Sequence, residues 1–355
     1  MGLKVCDNVF CTLFDSNYLD KGLVMLQSLR RHCNSRIYVL AMDEKCSEIL
    51  TKENIEDLCL ITLDEFLDDE LRRCRDNNSH GIFCWSCTAA LVCYIFDRYH
   101  EKIATYIDAD LFFYTNPDIL LMELINSGKS VQIIRHNFKK GLDSYLQEKI
   151  SGTYCVQFNS FINNEYARTI LNEWKEQTLG NCSIESRVGY GDQQYLDAWP
   201  IKYQNHVNIL ENMGAGIAPW NFERYSAIPG DLTKVCLDGQ YIVPIVFYHF
   251  HNVINIDRKQ VNIHIYERSL CVDSVLIKYI YIPYLKRINA MKRYLSKNYG
   301  FYPLITAYQV MRKDQKSPLV KLQDINELYY VLTIWIRLKR KLIRAIAWKR
   351  NIISI

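Results

Sequence analysis

Short apolar runs alternate with longer amphipathic runs along the first part of the chain, and this alternation restricts the folds that the chain can adopt. The apolar runs have the character of strands and lie at Val9–Phe14, Ile37–Met42, Leu58–Thr62 and Ile103–Ile107. Runs with helical spacing follow them, from the polar turn Asp15–Asp20 to His32, from Asp43 to about Lys52, and over about Phe83–Tyr99. Strands joined by helices in this order predict a parallel sheet covered by helices.

The second part of the chain continues the pattern less regularly. Strands are predicted at Val131–Ile134 and Gly152–Phe161, and a helix from Asn163 to about Glu176. The chain has 355 residues, of which 49% are hydrophobic and 23% charged, and this is enough for a large core. We therefore predict an α/β fold with a Rossmann-like, mostly parallel sheet over residues 1–260 and a helical C-terminal extension over residues 261–355.

Two aspartates follow the strand at Ile103–Ile107. On extended backbone Asp108 and Asp110 point to the same side, so both carboxylates can share a hard divalent cation. Two acids after a strand are also common in a solvated turn. Here a second apolar run, Leu111–Tyr114, and a helix start near Pro117 come next, and ligands of open α/β sheets collect at the carboxyl ends of strands. The pattern favours a metal site that binds a diphosphate.

The cysteines have a simpler interpretation. Thirteen of them are scattered through apolar segments, which is typical of reduced, buried thiols in a chain without a secretory signal. Cys84 and Cys87, with Cys74 upstream, have the spacing of half a zinc site or of a redox pair. No second Cys-x-x-Cys completes such a site, so packing in the core is the favoured interpretation.

Three motifs in order resemble a known family. They are Thr12–Tyr18 with the helix that follows, Thr105–Asp110, and Gly191–Asp197. Together they resemble the GT-A glycosyltransferases related to glycogenin and to bacterial lipopolysaccharide galactosyl- and glucosyltransferases, over roughly residues 8–255. The resemblance implies a metal-dependent transferase that uses a nucleoside-diphosphate sugar, usually a UDP-sugar, with retention at the anomeric carbon. It also implies a nucleotide half at about 1–135 and an acceptor half at about 136–260.

The resemblance assigns expected roles to individual residues. The nucleotide base and ribose would be held by Thr12, Phe14, Asp15 and Tyr18. Asp108 and Asp110 would bind Mn²⁺ or Mg²⁺. The family takes a third metal ligand from a histidine late in the domain, and both His249 and His251 fit, with His251 favoured because it lies nearer the carboxyl end of its strand.

The sequence departs from the family after this histidine. Where the family has His-x-x-Gly-x-x-Lys-Pro-Trp, the chain has His251-Asn-Val-Ile-Asn-Ile-Asp. The segment with Gly214, Gly216 and Trp220 is a candidate replacement, because its glycines allow close approach to a ligand and the indole can stack on a sugar. A plain loop with a buried tryptophan is the alternative interpretation.

Asp192 and Gln193 allow two interpretations. They are candidate catalytic residues at the transferred sugar, and Asp192 is the candidate base if the reaction inverts. In the structural alternative, Asp192 is the N-cap of a following helix. The sequence does not choose between an inverting and a retaining reaction. For Arg135 and His136 a solvated strand end is the favoured interpretation, and a contact with phosphate or with the acceptor is the alternative.

The end of the chain has a different character. Trp335–Arg350 contains seven basic residues, no acid and interleaved apolar residues, and it predicts a helix that lies on an anionic membrane surface. The alternatives are a helix docked on the domain and a basic surface for RNA, although a formal net charge of only +4 disfavours nucleic acid. We predict no transmembrane helix and no secretory signal, and therefore a cytoplasmic protein with a peripheral position on the inner face of the cytoplasmic membrane.

These features allow three function classes. The favoured class is a glycosyltransferase, specifically a hexosyltransferase of bacterial surface polysaccharide or lipopolysaccharide assembly that acts on a saccharide or a lipid-linked saccharide. A nucleotidyltransferase that makes nucleotide sugars shares the sheet and metal chemistry, but usually has a Gly-rich phosphate loop after its first strand, which Cys11–Asp15 does not provide. A non-catalytic scaffold protein that binds nucleotide sugars is the third class.

Overall fold

The computed structural model describes residues 3–180, 191–255, 260–265, 273–303, 338, 342 and 352–354. The chain divides into two compact units. The first contains residues 1–137, 147–216 and 245–249, and the second contains residues 138–146, 217–244 and 250–355. The predicted boundary at residue 260 stays a prediction.

The regular elements are numbered in chain order. The strands are β1 (Asn8–Phe14), β2 (Ile37–Ala41), β3 (Leu58–Thr62), β4 (Ile103–Ile107), β5 (Leu111–Phe113), β6 (Val131–Arg135), β7 (Tyr154–Ile162), β8 (Val207–Ile209), β9 (Tyr225–Ile228), β10 (Asp231–Leu237), β11 (Tyr241–Pro244), β12 (Phe247–His249), β13 (Ile254–Asn255), β14 (Gln260–Asn262) and β15 (Ile352–Ser354). The helices are α1 (Leu19–Arg30), α2 (Glu44–Glu53), α3 (Leu63–Phe66), α4 (Asp69–Asn77), α5 (His80–Tyr99), α6 (Asp118–Ser127), α7 (Leu142–Ser151), α8 (Glu165–Gly180), α9 (Trp199–Lys202), α10 (Ser274–Leu276) and α11 (Ile282–Tyr299).

A seven-stranded sheet forms the centre of the first unit. Its strand order is β3-β2-β1-β4-β7-β6-β8. Neighbouring strands are parallel except where β7 pairs antiparallel with β4 and with β6. Strands β1, β2 and β4 are buried along their whole length, as expected for strands covered on both faces. The prediction of a mostly parallel α/β sheet flanked by helices is confirmed.

Helix α5 is the longest helix of the first unit. It begins after Ser79, whose hydroxyl accepts a hydrogen bond from the Ile82 amide at 3.5 Å, and it ends at His100 in the left-handed region at φ 55°. Among the described helices, α5 alone is long and apolar enough to cross a bilayer, and 61% of its most apolar window is buried inside the protein. It packs against β1, β4 and α8. Cys87 and Cys93 on this helix are buried, Cys84 is partly buried, and none of the three forms a disulfide with another described residue.

Two short strands of the first unit form a separate antiparallel ribbon. Strand β5 comes directly after the Asp108–Asp110 segment, and β12 pairs with it. In this pairing, Phe247 lies opposite Phe113 and His249 lies opposite Leu111. The ribbon therefore brings a strand from late in the sequence to the carboxyl end of β4.

The second unit contains smaller sheets and a helical segment. Strands β9, β10 and β11 form an antiparallel sheet, and β13, β14 and β15 form another. Helix α10, a π-helical turn at Ile277–Tyr281 and α11 follow one another without a break. The predicted basic helix at Trp335–Arg350 lies outside the described residues, apart from residues 338 and 342.

Candidate functional site

Two carboxylates and one imidazole meet at the carboxyl end of β4. Asp108, Asp110 and His249 each offer a ligand atom, and these atoms all lie within 4.8 Å of one another. The His249 Nε2 atom is 3.0 Å from Asp110 Oδ1 and 3.7 Å from Asp108 Oδ2. Asp110 and His249 are buried, at 7% and 4% exposed, and Asp108 is half-buried. Carboxylate oxygens and an imidazole nitrogen are both ligands of divalent cations, so the group can hold a divalent metal ion.

Local structure explains why these three residues converge. Asp108 follows the last residue of β4 and Asp110 precedes the first residue of β5. His249 ends β12, where the register places it opposite Leu111, the neighbour of Asp110. Of the two candidate histidines, His249 is the one in the group. His251, which was favoured from the sequence, is not part of it and lies in the second unit.

Gln157 orients His249, and the sequence analysis did not identify it. The Nδ1 atom of His249 lies 2.9 Å from the Gln157 side-chain oxygen, so Nδ1 carries the proton and donates it. The other ring nitrogen, Nε2, then faces the two aspartates, which is the arrangement that a metal-binding histidine needs. Gln157 lies in the fully buried strand β7 and is 0% exposed. A glutamine and an asparagine alternating with apolar residues in Val156–Ser160 were the available signal.

Gly216 packs against this glutamine. Its φ of +70° favours glycine, and a Cβ atom at this position would lie 2.8 Å from Gln157 Nε2 and 2.8 Å from Ile134 Cδ1. The neighbouring segment is attached to the ribbon, because the Val246 amide donates a hydrogen bond to the Gly214 carbonyl at 2.8 Å. Gly216 therefore allows a close approach of the backbone to Gln157, the side chain that supports His249. The predicted role of Gly214 and Gly216 in binding the donor stays a prediction.

Gly216→Ala should weaken metal binding as well as stability. The added methyl group would displace Gln157 and strain the backbone, so we expect a stability loss of about 1–3 kcal/mol and metal affinity lower by about 10–100-fold. The matched control is Gly128→Ala, which has a similar φ of +65° but nothing within 4 Å of the added Cβ. Thermal unfolding and Mn²⁺ titration of both variants separate backbone strain from displacement of Gln157. Equal Mn²⁺ affinities in the two variants would contradict this role of Gln157.

Burial and charge control the protonation of the acidic group. Burial, together with the negative charges of Asp110 and Asp192, raises the pKa of Asp108 to about 8, although His249 acts in the opposite direction. Burial also raises the pKa of Asp192 to about 7. At His249 burial opposes the charged form, but Asp110 and Asp108 outweigh it and the pKa is raised. Without a metal the group therefore retains protons that a bound cation would displace.

Raised carboxyl pKa values make the metal-free protein less stable as the pH rises. Between the ordinary value of 3.8 and about 8, folded Asp108 holds a proton that the unfolded chain has released, so the folded state binds more protons and its stability falls. Asp192 acts in the same direction between 3.8 and about 7. In the presence of a chelator, the free energy of unfolding should fall between pH 5 and pH 8. This fall should be larger for native protein than for Asp108→Asn, by on the order of a few kcal/mol.

Thermal unfolding of both proteins at pH 5 and pH 8 measures this difference. Identical pH slopes for native protein and Asp108→Asn would contradict the raised pKa of Asp108. In the same pH range the Mn²⁺ affinity of native protein should increase, because the metal ligands must lose their protons before they bind.

Asp192 interacts electrostatically with Asp108 and occupies the N-cap position of the 3₁₀ turn Gln193–Ala198. Its side chain makes no capping hydrogen bond to this turn, so Asp192 has the position of the structural alternative without its side-chain bond. It is buried, at 6% exposed, and its backbone carbonyl accepts a hydrogen bond from Trp174 Nε1 at 2.9 Å. Gly191 precedes it at φ +57°, and a Cβ atom there would lie 3.0 Å from the Trp85 ring. Asp192 is thus held with its carboxylate in electrostatic range of Asp108.

Gln193 is engaged with the backbone. Its side-chain nitrogen donates a hydrogen bond to the Ser151 carbonyl at 2.8 Å. Asp197, at the other end of the same motif, accepts from the amides of Thr153 and Tyr154 at 2.9 and 3.3 Å. These bonds attach the 3₁₀ turn to the start of β7. The predicted contact of Gln193 with a sugar stays a prediction.

The turn after β1 is built around Asp15. Its carboxylate caps the 3₁₀ turn Ser16–Tyr18 by accepting from the Tyr18 amide at 3.1 Å, and it also lies 3.1 Å from His80 Nε2. Burial opposes its charge, but hydrogen bonds from His80 and Asn17 lower its pKa, while the Asp15 contact raises the pKa of His80 to about 10. Asp15 is therefore charged and held by the protein itself.

The other candidate nucleotide residues divide into packing and polar positions. Phe14 is 3% exposed and packs on α1, where a Cβ atom at Gly22 would lie 2.6 Å from its ring. Thr12 is fully buried, and its hydroxyl has no hydrogen-bond partner among the described residues. Tyr18 is half-buried, and its ring contacts Lys21. A buried hydroxyl without a partner is a candidate for a ligand contact.

Trp220 and His251 lie together in the second unit. Their ring centroids are 5.6 Å apart in an edge arrangement, and Trp220 is 8% exposed. Asn221, next to the tryptophan, accepts a hydrogen bond from the Ala218 amide at 2.9 Å. The geometry matches the structural alternative of a loop with a buried tryptophan, and the stacking of Trp220 on a sugar stays a prediction.

Comparisons with known proteins find relatives at low identity. No protein-family profile matches the chain. The chain is 27% identical over 299 residues to the uncharacterized protein YfnD of Bacillus subtilis (strain 168), covering 83% of this chain and 92% of that protein. It is also 27% identical over 267 residues to the uncharacterized protein YfnF of the same organism, covering 72% of this chain and 86% of that protein.

Solved structures of glycosyltransferases are similar in fold. Galactosyltransferase LgtC, solved with donor and acceptor sugar analogs, has a TM-score of 0.47 and 14% identity, covering 79% of this chain and 95% of that chain. Mouse xyloside xylosyltransferase 1 has a TM-score of 0.44 and 13% identity, covering 69% and 98%. Both proteins are glycosyltransferases.

Proposed function

We propose that the chain transfers a sugar from a nucleoside-diphosphate sugar to a hydroxyl group of a saccharide. The observation that supports this most directly is the group of Asp108, Asp110 and His249 within 4.8 Å at the carboxyl end of a central parallel strand. Ligands of open α/β sheets bind at this edge. A divalent cation held there supplies positive charge to the diphosphate when the bond between sugar and phosphate breaks.

Residues around this group have proposed roles in holding the cation, the nucleoside and the transferred sugar. Asp108, Asp110 and His249 would hold the cation, and Gln157 would keep the His249 ring in its metal-binding orientation. The Thr12 hydroxyl and the turn around Asp15 are the proposed contacts of the nucleoside. Asp192 is buried and its negative charge acts on Asp108, so we place it in this proposal at the transferred sugar.

The finer identity of the substrates is also proposed. The resemblance of the motifs favours UDP as the nucleotide, Mn²⁺ as the metal, a hexose as the transferred sugar and retention as the stereochemical outcome. An acceptor in surface-polysaccharide assembly is consistent with this resemblance and with a basic C-terminal segment. The nucleotidyltransferase class is less favoured because no Gly-rich phosphate loop follows β1. The scaffold class is less favoured because the metal-binding group is present.

Release of nucleoside diphosphate from a panel of nucleotide sugars tests the proposal. The panel would contain UDP-, GDP-, ADP-, CDP- and dTDP-sugars, each with Mn²⁺, with Mg²⁺ and with chelator. We expect metal-dependent release from one donor, increased by a saccharide acceptor. Consumption of a sugar phosphate with a nucleoside triphosphate would instead identify a nucleotidyltransferase, and binding without turnover would identify a scaffold. NMR of the product gives the anomeric configuration.

A peripheral membrane position is proposed on a separate observation. Between residues 274 and 303 the sequence contains six basic residues and no acid. Lys286, Arg287, Arg293 and Lys297 of α11 are exposed, while the opposite side of the helix is buried. Each basic residue near an anionic surface contributes about 1 kcal/mol of attraction.

Vesicle sedimentation tests the membrane proposal. Native protein should bind vesicles with anionic lipid and not neutral vesicles, and removal of the residues after Asn326 should weaken this binding. Undiminished binding by the truncated chain would assign the attraction to α11 rather than to the C-terminal segment. A lack of binding by the native chain would contradict the proposal.

A further inference from the structure

A buried lysine lies at the start of α1, close to the metal-binding group. Lys21 is 8% exposed, and its ammonium group lies 3.9 Å from the centroid of the Tyr18 ring. Among the residues that the structure describes, no carboxylate oxygen lies within ion-pair distance of its Nζ atom. Burial of an ammonium group without a carboxylate partner is costly. The position of Lys21 therefore requires an explanation that packing does not give.

The charge of Lys21 acts on the metal-binding group. Burial opposes the charged form of Lys21, but contact with Tyr18 and the negative charges of Asp110 and Asp20 raise its pKa. In return, the Lys21 charge lowers the pKa of His249. The ammonium group is thus charged at neutral pH and shares the local field of Asp110 and His249. It lies on the helix that follows β1, the strand next to β4 in the sheet.

We propose that Lys21 is a binding residue for the diphosphate of the donor. This inference rests on the proposed function. Its ammonium group would contact phosphate oxygens that the metal leaves exposed, with the Tyr18 ring holding the side chain in place through a cation–π contact. The departing nucleoside diphosphate gains negative charge as the bond to the sugar breaks. A fixed cation at this place stabilises the leaving group more than the intact donor, and so contributes to the rate as well as to binding.

A purely structural role for Lys21 makes a different prediction. If the ammonium group only holds the Tyr18 ring in place, its removal would change the binding of the nucleoside and of the nucleoside diphosphate by a similar factor. If it contacts phosphate, its removal would weaken diphosphate binding and leave nucleoside binding unchanged. The ratio of the two affinities therefore distinguishes the roles.

The test compares native protein with Lys21→Met, Lys21→Arg and Lys102→Met by calorimetry in saturating Mn²⁺. Methionine keeps the length of the side chain and removes the charge, and arginine keeps the charge. Lys102 is a control because its exposed ammonium group bonds Asp7 at the other end of the central sheet. The ligands are UDP, GDP, ADP, CDP and dTDP, each compared with its nucleoside, and circular dichroism confirms that every variant is folded.

Lys21→Met should lower the affinity for the nucleoside diphosphate by about 10–100-fold, the usual contribution of a hydrogen bond to a charged group. The affinity for the nucleoside should stay within about twofold, since that ligand has no phosphate. Lys21→Arg should keep most of the diphosphate affinity, and Lys102→Met should match native protein. If Lys21→Met lowered the affinities for the nucleoside diphosphate and for the nucleoside equally, or lowered neither, the inference would be overturned. If native protein binds none of the diphosphates, the proposed function fails and this inference fails with it.

Discussion

Asp110→Asn should reduce metal-dependent turnover of a nucleotide sugar by at least about 10³-fold, which corresponds to roughly 4 kcal/mol of transition-state stabilisation. Asp110 is 7% exposed and lies 3.0 Å from His249 Nε2, at the centre of the metal-binding group. Asparagine has nearly the same volume, so the packing should be kept. It lacks the negative charge, so the group should lose both affinity for a divalent cation and the field that positions the diphosphate.

Two measurements show whether this effect is local. The first is thermal unfolding without metal, in which Asp110→Asn should be at least as stable as native protein, because one of two neighbouring carboxylates is removed. The second is the exposed control Asp64→Asn, which should keep native turnover. The rate of nucleoside diphosphate release is measured for all three proteins over a range of Mn²⁺ concentrations. Unchanged turnover in Asp110→Asn would contradict the proposed metal site.

The sequence was most informative where structure depends on neighbours in the chain. Strands β1, β2, β3 and β4 follow the predicted apolar runs within a residue or two, because buried parallel strands consist of almost continuous apolar residues. Asp108 and Asp110 were identified for the same reason, since they directly follow one of these runs. The start of α5 was placed three residues late, although Ser79 offered a capping signal before His80.

Features that depend on distant pairing were harder to predict. The choice between His249 and His251 rests on the pairing of β12 with β5, where the register sets His249 opposite Leu111. A spacing of two residues in the sequence contains no information about that register. Gln157 was missed because its role depends on β7 lying next to β4 in an antiparallel pair. A buried polar residue inside an apolar strand was its only local signal.

Alternatives that rest on side-chain direction also required the structure. Asp192 has the residue type and the position of an N-cap, but its side chain makes no capping bond to the turn. Phe14 lies in the predicted nucleotide motif, yet its ring packs on Gly22. In both cases the residue was found at its position along the chain, but the direction of its side chain depends on the fold.

Trp174→Ala should lower the free energy of unfolding by about 3–5 kcal/mol, the usual cost of removing a large buried aromatic side chain. Trp174 is fully buried on α8, and its ring centroid lies 5.4 Å from that of Trp199 and 6.3 Å from that of Phe161. Its Nε1 atom also donates a hydrogen bond to the Asp192 carbonyl at 2.9 Å. The melting temperature should fall by roughly 10 °C.

Trp174→Phe separates packing from the hydrogen bond. Phenylalanine keeps most of the ring contacts and loses the N–H donor, so its stability loss should be nearer 1–3 kcal/mol, the cost of leaving a buried acceptor without its partner. If Asp192 acts on the transferred sugar, both variants should also turn over the donor more slowly at temperatures well below their melting points, because the carbonyl that fixes Asp192 is released. If Trp174→Phe is clearly destabilised but keeps native turnover, Trp174 contributes only to core packing. The position of Asp192 would then not depend on this hydrogen bond.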